Sequence, residues 1–178
     1  MKYQEIYDEY TALLQRYSKT RFELSSLPKG NIVKKRISGK EYYYLQYSSY
    51  GKKQTEYIRE QDVDVLFADL KRAKELRAEV EIIGLDLLRL EQAAKILDSK
   101  LSRTLYFLRQ CADMDALPVA KRNDALSFAG AITALEGLPA QQETEENLHA
   151  WAIGEKAFAD FYIPALQNYG VMEDIYEQ

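Results

Sequence analysis

The chain has 178 residues, of which 47% are hydrophobic and 29% charged, and its formal net charge at pH 7 is −4. This is an ordinary globular balance, and the length allows one compact domain or two small ones. The single cysteine, Cys111, excludes an internal disulfide. No apolar run approaches the ~20 residues that span a bilayer. The N-terminal stretch MKYQEIYDEY has no hydrophobic signal core, so we expect a cytoplasmic protein.

The sequence contains no recognisable set of catalytic or metal-binding residues. Cys111 lies in LYFLRQCADM, which favours a buried structural thiol over a nucleophile. His149 is the only histidine and has no second histidine or cysteine near it, so we expect it on the surface. There is no Ser/His/Asp set, no phosphate loop and no metal-ligand spacing. We therefore predict a non-enzymatic protein with no metal and no cofactor.

The first predicted element is a helix over residues 3 to 25. Its apolar residues recur at steps of three and four, the spacing of a coiled-coil seam. These residues are Ile6, Tyr10, Leu13, Tyr17, Thr20 and Leu24. The breaker SSLPKGN then interrupts the pattern. Three β-type runs follow, NIVKKRI, EYYYLQYSSY and KQTEYI, joined by short glycine turns, and they predict a β-meander over residues 29–60.

A second long helix is predicted over residues 61 to 98. Its stripe also steps by three and four, with one stutter after Ala73. The stripe consists of Leu66, Leu70, Ala73, Leu76, Val80, Ile83, Leu87, Leu90, Ala94 and Leu97. If the apolar stripes of the two helices pack against each other, they form an antiparallel helical hairpin with the meander inserted between them. We predict that this hairpin and the meander make up a domain over residues 1–98. This stripe is longer than the first helix can cover. Either the C-terminal helices or a second chain, in a homodimer, would cover the rest.

The C-terminal half predicts a bundle of short helices, which makes the fold class mostly α. A helix over residues 101 to 114 lies in a connecting segment, 99–118. A module over 119–178 then contains a helix over 119 to 136 and two more in ETEENLHAWAIGE and KAFADFYIPALQNYG. Gly154 is expected to separate these two, and Thr144 to cap the first of them. Pro164 is expected to bend or interrupt the last helix.

The predicted meander is strongly basic. Residues 29 to 59 contain eight lysines and arginines against two glutamates, a net charge of +6 that leaves −10 for the rest of the chain. Lysines neutralise phosphates, and a small sheet can enter a groove of nucleic acid. The alternative is a sheet whose tyrosines form its core and whose lysines protect its edges. The residues that would bind nucleic acid are Lys34, Lys35, Arg36, Lys40, Tyr42, Tyr44, Lys52 and Lys53.

This meander also resembles known small sheets. The stretch LPKGNIVKKRISGKEYYYLQYSSYGKKQTEYI is similar to a small-sheet module of bacterial and mobile-element proteins, and to the three-stranded arm-type DNA-binding domains of phage integrases. The resemblance implies an accessory protein of a mobile element that binds DNA through this sheet.

The segment ALSFAGAITALEGLP, residues 125 to 139, is a helix of unusually small residues. It carries no charge between Ala125 and Leu135 and ends in Glu136 and Gly137. Three interpretations are open: a tight internal helix crossing, a helix that docks on another protein, or the lining of a ligand pocket. No convergent polar set supports the pocket. From the residues alone, internal packing is the favoured interpretation.

ITALEGLP, followed by ETEENLHAWAIGEKAFADFYIPALQNYG, resembles the antitoxin domain of the VbhA type, which inhibits Fic-domain adenylyltransferases. Glu136 and Gly137 match the end of the family's inhibitory motif. Two further pairs match as well, namely Gly154 with Glu155 and Tyr169 with Gly170. The sequence departs from the motif at position 132, where isoleucine replaces the family's hydroxyl residue.

The resemblance implies an inhibitory mechanism. Glu136 would pair with the arginine of a Fic enzyme that otherwise holds the nucleotide γ-phosphate, so that ATP binds only in an unreactive pose. An Arg–carboxylate pair has the strength and geometric specificity for this role. Small side chains before Glu136 would let the helix lie close on the enzyme. The residues implied are Ser127, Ala129, Gly130, Thr133, Glu136 and Gly137.

Overall fold

The structure is a computed structural model that describes residues 3–135 and 141–172, with only the backbone described at 132–135. Its helices and strands follow one another in the order predicted. They are α1 (Tyr3–Ser26), β1 (Asn31–Ile37), β2 (Lys40–Ser49), β3 (Lys52–Ile58), α2 (Val63–Leu97), α3 (Ser99–Asp115), α4 (Val119–Leu135), α5 (Gln142–Ala152) and α6 (Ala159–Asn168). The predicted fold class, mostly α with a β-meander inserted between the first two helices, is confirmed.

Two compact units divide the chain. One is Ser26–Glu79, which contains the sheet and the first half of α2. The other joins Met1–Ser25 to Val80–Gln178 and contains α1, the second half of α2 and the remaining helices. None of the described helices is both long and apolar enough to cross a membrane.

The core of the helical unit lies between α1, the second half of α2, and α3. Tyr10 donates a hydrogen bond from its hydroxyl to Glu91 Oε1 at 2.6 Å, which links α1 to the second half of α2. The buried members of this core are Ile6, Tyr10, Leu14, Tyr17, Ile83, Leu87, Leu90, Ala94, Leu101, Leu105 and Ala112. Residues from α3 therefore join α1 in packing against the part of the α2 stripe from Ile83 to Ala94.

Most positions of the predicted stripes are buried, but Leu66, Leu70 and Val80 of α2 are only partly buried, and three further positions also differ from the prediction. In α1, Leu14 is buried, whereas Leu13 only packs against the margin of the core. Leu24 is half-buried. In α2, Leu97 is 48% exposed, although we predicted it in the seam. The reason is that α2 ends at Leu97 and the chain turns there, because Asp98 caps α3 by accepting a hydrogen bond from Leu101 N at 2.8 Å.

The sheet is an antiparallel meander in the order β1-β2-β3. Its two turns are tight. Ser38 and Gly39 in the first turn, and Tyr50 and Gly51 in the second, all have positive φ. Two consecutive residues of positive φ form the type I′ turn, whose twist matches that of the strands it joins. The turns place Ile37 opposite Lys40 and Ser49 opposite Lys52, and so they set the register of all three strands.

Glycine ends both of the last helices. Gly154 has a φ of +85°, and the backbone N–H of Glu155 donates to Ala150 O, as in a Schellman motif. Gly170 ends α6 in the same way, with Val171 N donating to Leu166 O. The predicted separation of these helices at Gly154 is therefore confirmed.

Two local predictions about these helices differ from the structure, one of them only in part. Thr144 is not the cap, because α5 begins at Gln142 and Gln141 precedes it without a side-chain cap bond. Pro164 does not interrupt α6, which continues through it to Asn168. Proline at that position removes the intrahelical hydrogen bond that its missing N–H would have donated, and its ring crowds the carbonyl four residues earlier, yet the helix continues.

Candidate partner-binding helix and basic sheet

The middle of α4 is exposed on all sides. Ser127, Phe128, Ala129, Gly130 and Ala131 are all exposed, and the Phe128 side chain is 69% exposed. Five consecutive residues exceed the 3.6 of one helical turn, so every side of the helix there carries at least one exposed residue. A Cβ atom added at Gly130 would meet nothing within 4 Å. The internal crossing that we favoured from the residues alone is therefore wrong for residues 127–131.

The start of α4, by contrast, is fixed by a buried arginine. Arg122 is 6% exposed, and its guanidinium donates to three backbone carbonyls. Its Nε donates to Leu117 O at 3.0 Å, its Nη1 to Trp151 O at 2.8 Å, and its Nη2 to Asp115 O. The guanidinium also lies over the Trp151 ring, 5.4 Å from the centroid. One side chain thus joins the end of α3, the first turn of α4 and the end of α5.

Asp115 extends this attachment to α6. Its Oδ1 accepts hydrogen bonds from Trp151 Nε1 at 3.0 Å and from the backbone N of Phe158 at 2.9 Å. Burial raises the pKa of the Asp115 carboxyl, although these two bonds and Arg122 oppose the shift. We call Asp115, Arg122 and Trp151 the Arg122 cluster. It fixes the framework from which the exposed half of α4 extends.

The two residues singled out for their rarity, Cys111 and His149, lie where the sequence predicted them. Cys111 is buried, as predicted, and burial together with the nearby Asp115 charge raises the pKa of its thiol to about 12. His149 is exposed on α5, also as predicted. In the described ranges, no three metal-capable side chains are grouped.

The six residues implied as inhibitory do not all fall within the described structure. Ser127, Ala129 and Gly130 lie together on the exposed part of α4. Thr133 belongs to the last turn of α4, where the side chains are not described. Glu136 and Gly137 lie outside the described residues.

The strand register divides the eight predicted nucleic-acid-binding residues between two faces of the sheet. Since residues directly opposite each other share a face, Lys35 lies with Tyr42, and Lys34 with Tyr43. The first face, which we call the tyrosine–lysine face, also includes Tyr57, opposite Tyr44. Of the predicted residues it carries Lys35, Lys40, Tyr42, Tyr44 and Lys53, whereas Lys34, Arg36 and Lys52 lie on the other face.

Aromatic rings and a lysine are in contact on the tyrosine–lysine face. The ring of Tyr57 lies 6.3 Å from that of Tyr42 and 5.8 Å from that of Tyr44, between centroids. The Lys35 ammonium lies over the Tyr44 ring at 4.6 Å, a cation–π distance. Tyr57 is 58% exposed, so it presents a ring to solvent. Tyr57 was not among the residues predicted to bind nucleic acid. It lies on the tyrosine–lysine face because it pairs opposite Tyr44.

The opposite face is less suited to phosphate. Lys34 forms an ion pair with Glu41 at 2.5 Å, and that bond raises the pKa of the Lys34 ammonium. Tyr47 donates its hydroxyl hydrogen bond to Glu56 on the same face. This face also carries Ile58, the only buried residue of the three strands. Glutamates that already bond Lys34 and Tyr47, together with the apolar Ile58, therefore make this face less suited to binding phosphate.

Comparison with known proteins identifies one family model. Residues 3–68 match DUF6788, a domain of unknown function. The match covers α1, the whole meander and the first turns of α2. No curated protein matches the chain, and no solved structure matches it. The chain is thus similar to this family over residues 3–68, and the C-terminal helices lie beyond the match.

Proposed function

We propose that this chain is an antitoxin that binds a Fic-domain adenylyltransferase and inhibits it by inserting α4 and Glu136 into its active site. The protein would act in the cytoplasm as an inhibitor and would have no catalytic activity or cofactor of its own. The observation that carries this proposal is that residues 127–131 are all exposed. Four of these five residues have small, uncharged side chains, whereas a solvated helix surface usually carries charged ones.

The arrangement around α4 suits an inserted helix. The Arg122 cluster holds its first turn, so the exposed half is presented on a rigid attachment. Rigid presentation reduces the entropy that is lost on binding. Ala129, Gly130 and Ala131 allow a partner's surface to approach the helix backbone closely. Phe128 supplies one large apolar side chain for the same contact.

The helices after α4 are consistent with the VbhA-type pattern that the sequence suggested. α5 ends at the Gly154–Glu155 pair and α6 at the Tyr169–Gly170 pair, each through a glycine of positive φ. Both glycine-containing pairs of the resemblance therefore lie at helix ends in this chain. These helix ends support the proposal, and the role of Glu136 rests on the resemblance alone.

The test begins with a partner captured from host lysate. The full chain and a version truncated after Leu117 serve as baits, and we expect a Fic-domain protein with the full chain only. Glu136→Gly should then restore AMP transfer from ATP by that enzyme while the two proteins still bind. Glu143→Gly, an exposed acid at the start of α5, is the matched control and should inhibit like the wild type. Retained inhibition by Glu136→Gly would contradict the mechanism.

A second candidate function, nucleic-acid binding by the sheet, is favoured by the tyrosine–lysine face. We propose that this face contacts phosphates through Lys35, Lys40 and Lys53, while exposed rings such as Tyr57 stack on bases. Stacking on aromatic side chains and neutralisation by lysine are the two elements of sequence-tolerant nucleic-acid binding. Such a protein would serve as an accessory protein of a mobile element, or as an antitoxin that also binds its operator.

The choice of face gives this second function a sharp test. Replacing Lys35, Lys40 and Lys53 together by alanine should weaken binding to a fluorescent DNA duplex or single strand at least about tenfold at low salt. It should also reduce the dependence of log affinity on log salt by about 0.7 to 0.9 for each phosphate that the variant no longer neutralises. Lys34→Ala is the control, since Glu41 already neutralises that lysine. If the wild-type chain binds neither probe at low salt, this function is excluded.

A further inference from the structure

α2 exposes an apolar face on the side that points away from the core of the helical unit. Ile82, Leu85 and Leu88 are 61%, 53% and 47% exposed, and they lie on adjacent turns. At 100° per residue, they lie roughly opposite Ile83, Leu87 and Leu90, which are buried in the helical unit. Exposed Ile96 lies two turns further along the same side. Neighbouring large apolar side chains on one helix face are typical of an association surface.

The charged residues beside this face can pair with the same residues of a second copy of the helix. Glu81 lies one turn before Leu85, and Arg89 one turn after it, both exposed. A second copy of α2 running antiparallel, with its Leu85 opposite Leu85, would place each Glu81 opposite an Arg89 and each Ile82 opposite a Leu88. A parallel copy in register would instead place Glu81 beside Glu81 and Arg89 beside Arg89. Like charges at facing positions oppose pairing, so the antiparallel arrangement is the one that the charges favour.

We propose that a second copy of this chain binds to the Ile82–Leu85–Leu88 face of α2, antiparallel and around a twofold axis at Leu85. Such an interface is isologous, with the same residues contributed by both chains. Arg89 bonds Asp86 of its own helix through Nη1 at 2.9 Å and has further nitrogens for a partner's Glu81. The proposal concerns self-association and does not depend on the Fic or nucleic-acid hypotheses.

Exchanging the two charges between chains tests this arrangement directly. We expect sedimentation velocity of the wild type over a concentration series to show a monomer–dimer equilibrium. Glu81→Arg alone and Arg89→Glu alone should each raise the dissociation constant at least about tenfold, because two attractive pairs become repulsive in each homodimer. An equimolar mixture of the two variants should restore dimers, since each pair then contains one arginine and one glutamate.

Two controls complete the experiment. Circular dichroism and thermal melts should show that both charge variants remain as helical as the wild type, because the substituted residues are exposed. Leu85→Glu should abolish the dimer, since it places two carboxylates at the twofold axis. A wild type that stays monomeric at every concentration would overturn the proposal. So would a mixture that dimerises no better than the single variants.

Discussion

Replacing Arg122 with methionine is expected to lower the free energy of unfolding by about 3 to 5 kcal/mol. Methionine fills a similar volume but has no donor, so the carbonyls of Asp115, Leu117 and Trp151 would lose their guanidinium bonds. The raised pKa of the Asp115 carboxyl shows that burial already disfavours its charge, and Arg122 is among the groups that oppose this. Removing the arginine leaves that carboxylate with less compensation.

Urea denaturation followed by circular dichroism and by Trp151 fluorescence measures this loss, since Trp151 is the only tryptophan and belongs to the cluster. Arg103→Met is the matched control, because Arg103 is exposed on α3, and its effect should stay within about 0.5 kcal/mol. A loss below about 1 kcal/mol for Arg122→Met would show that the cluster contributes little to stability.

The local parts of the fold were predictable because short-range chemistry determines them. The strands of the meander came out within about one residue of their predicted bounds, since each turn needs positive φ and glycine marks both turns. The seam of α1 followed from helical periodicity. The exchange of Leu14 for Leu13 arose because adjacent helix residues can border the same groove, and periodicity alone does not choose between them.

The Arg122 cluster was not predictable from the sequence. The acceptors of Arg122 are backbone carbonyls, which have no sequence signature, and one of them lies 29 residues away at Trp151. An arginine near the start of a helix ordinarily suggests a solvated surface. The faces of the sheet, by contrast, follow from strand alternation, which separates Tyr43 from Tyr42 and Tyr44.

The exposure of α4 was also hidden from the sequence, for a different reason. Small residues allow a helix to approach another closely, whether that other belongs to the same chain or to a partner. Composition therefore fits both alternatives equally, and only the placement of residues 127–131 relative to the rest of the chain separates them. The same limit applies to α2, in which apolar residues occur on both the core side and the exposed side.

A tryptophan at position 130 should leave the fold intact but prevent the proposed inhibition. The space around a Cβ at Gly130 is open in the chain itself, and any helix former at an interior glycine position gains up to about 1 kcal/mol in helix propensity. We therefore expect the free energy of unfolding of Gly130→Trp to equal or exceed that of the wild type. If α4 lies against a Fic enzyme, an indole there should weaken binding by up to about a hundredfold.

Asp124→Trp is the matched control, because Asp124 is exposed on the first half of the same helix, nearer the Arg122 cluster. Urea denaturation and inhibition of AMP transfer by the captured Fic enzyme are measured on both variants. Unchanged stability with lost inhibition for Gly130→Trp alone is the expected pattern, because position 130 is exposed and an added Cβ there meets nothing within 4 Å. If Gly130→Trp inhibits like the wild type, the exposed half of α4 is not the inhibitory surface. If it destabilises the fold, the helix packs internally instead.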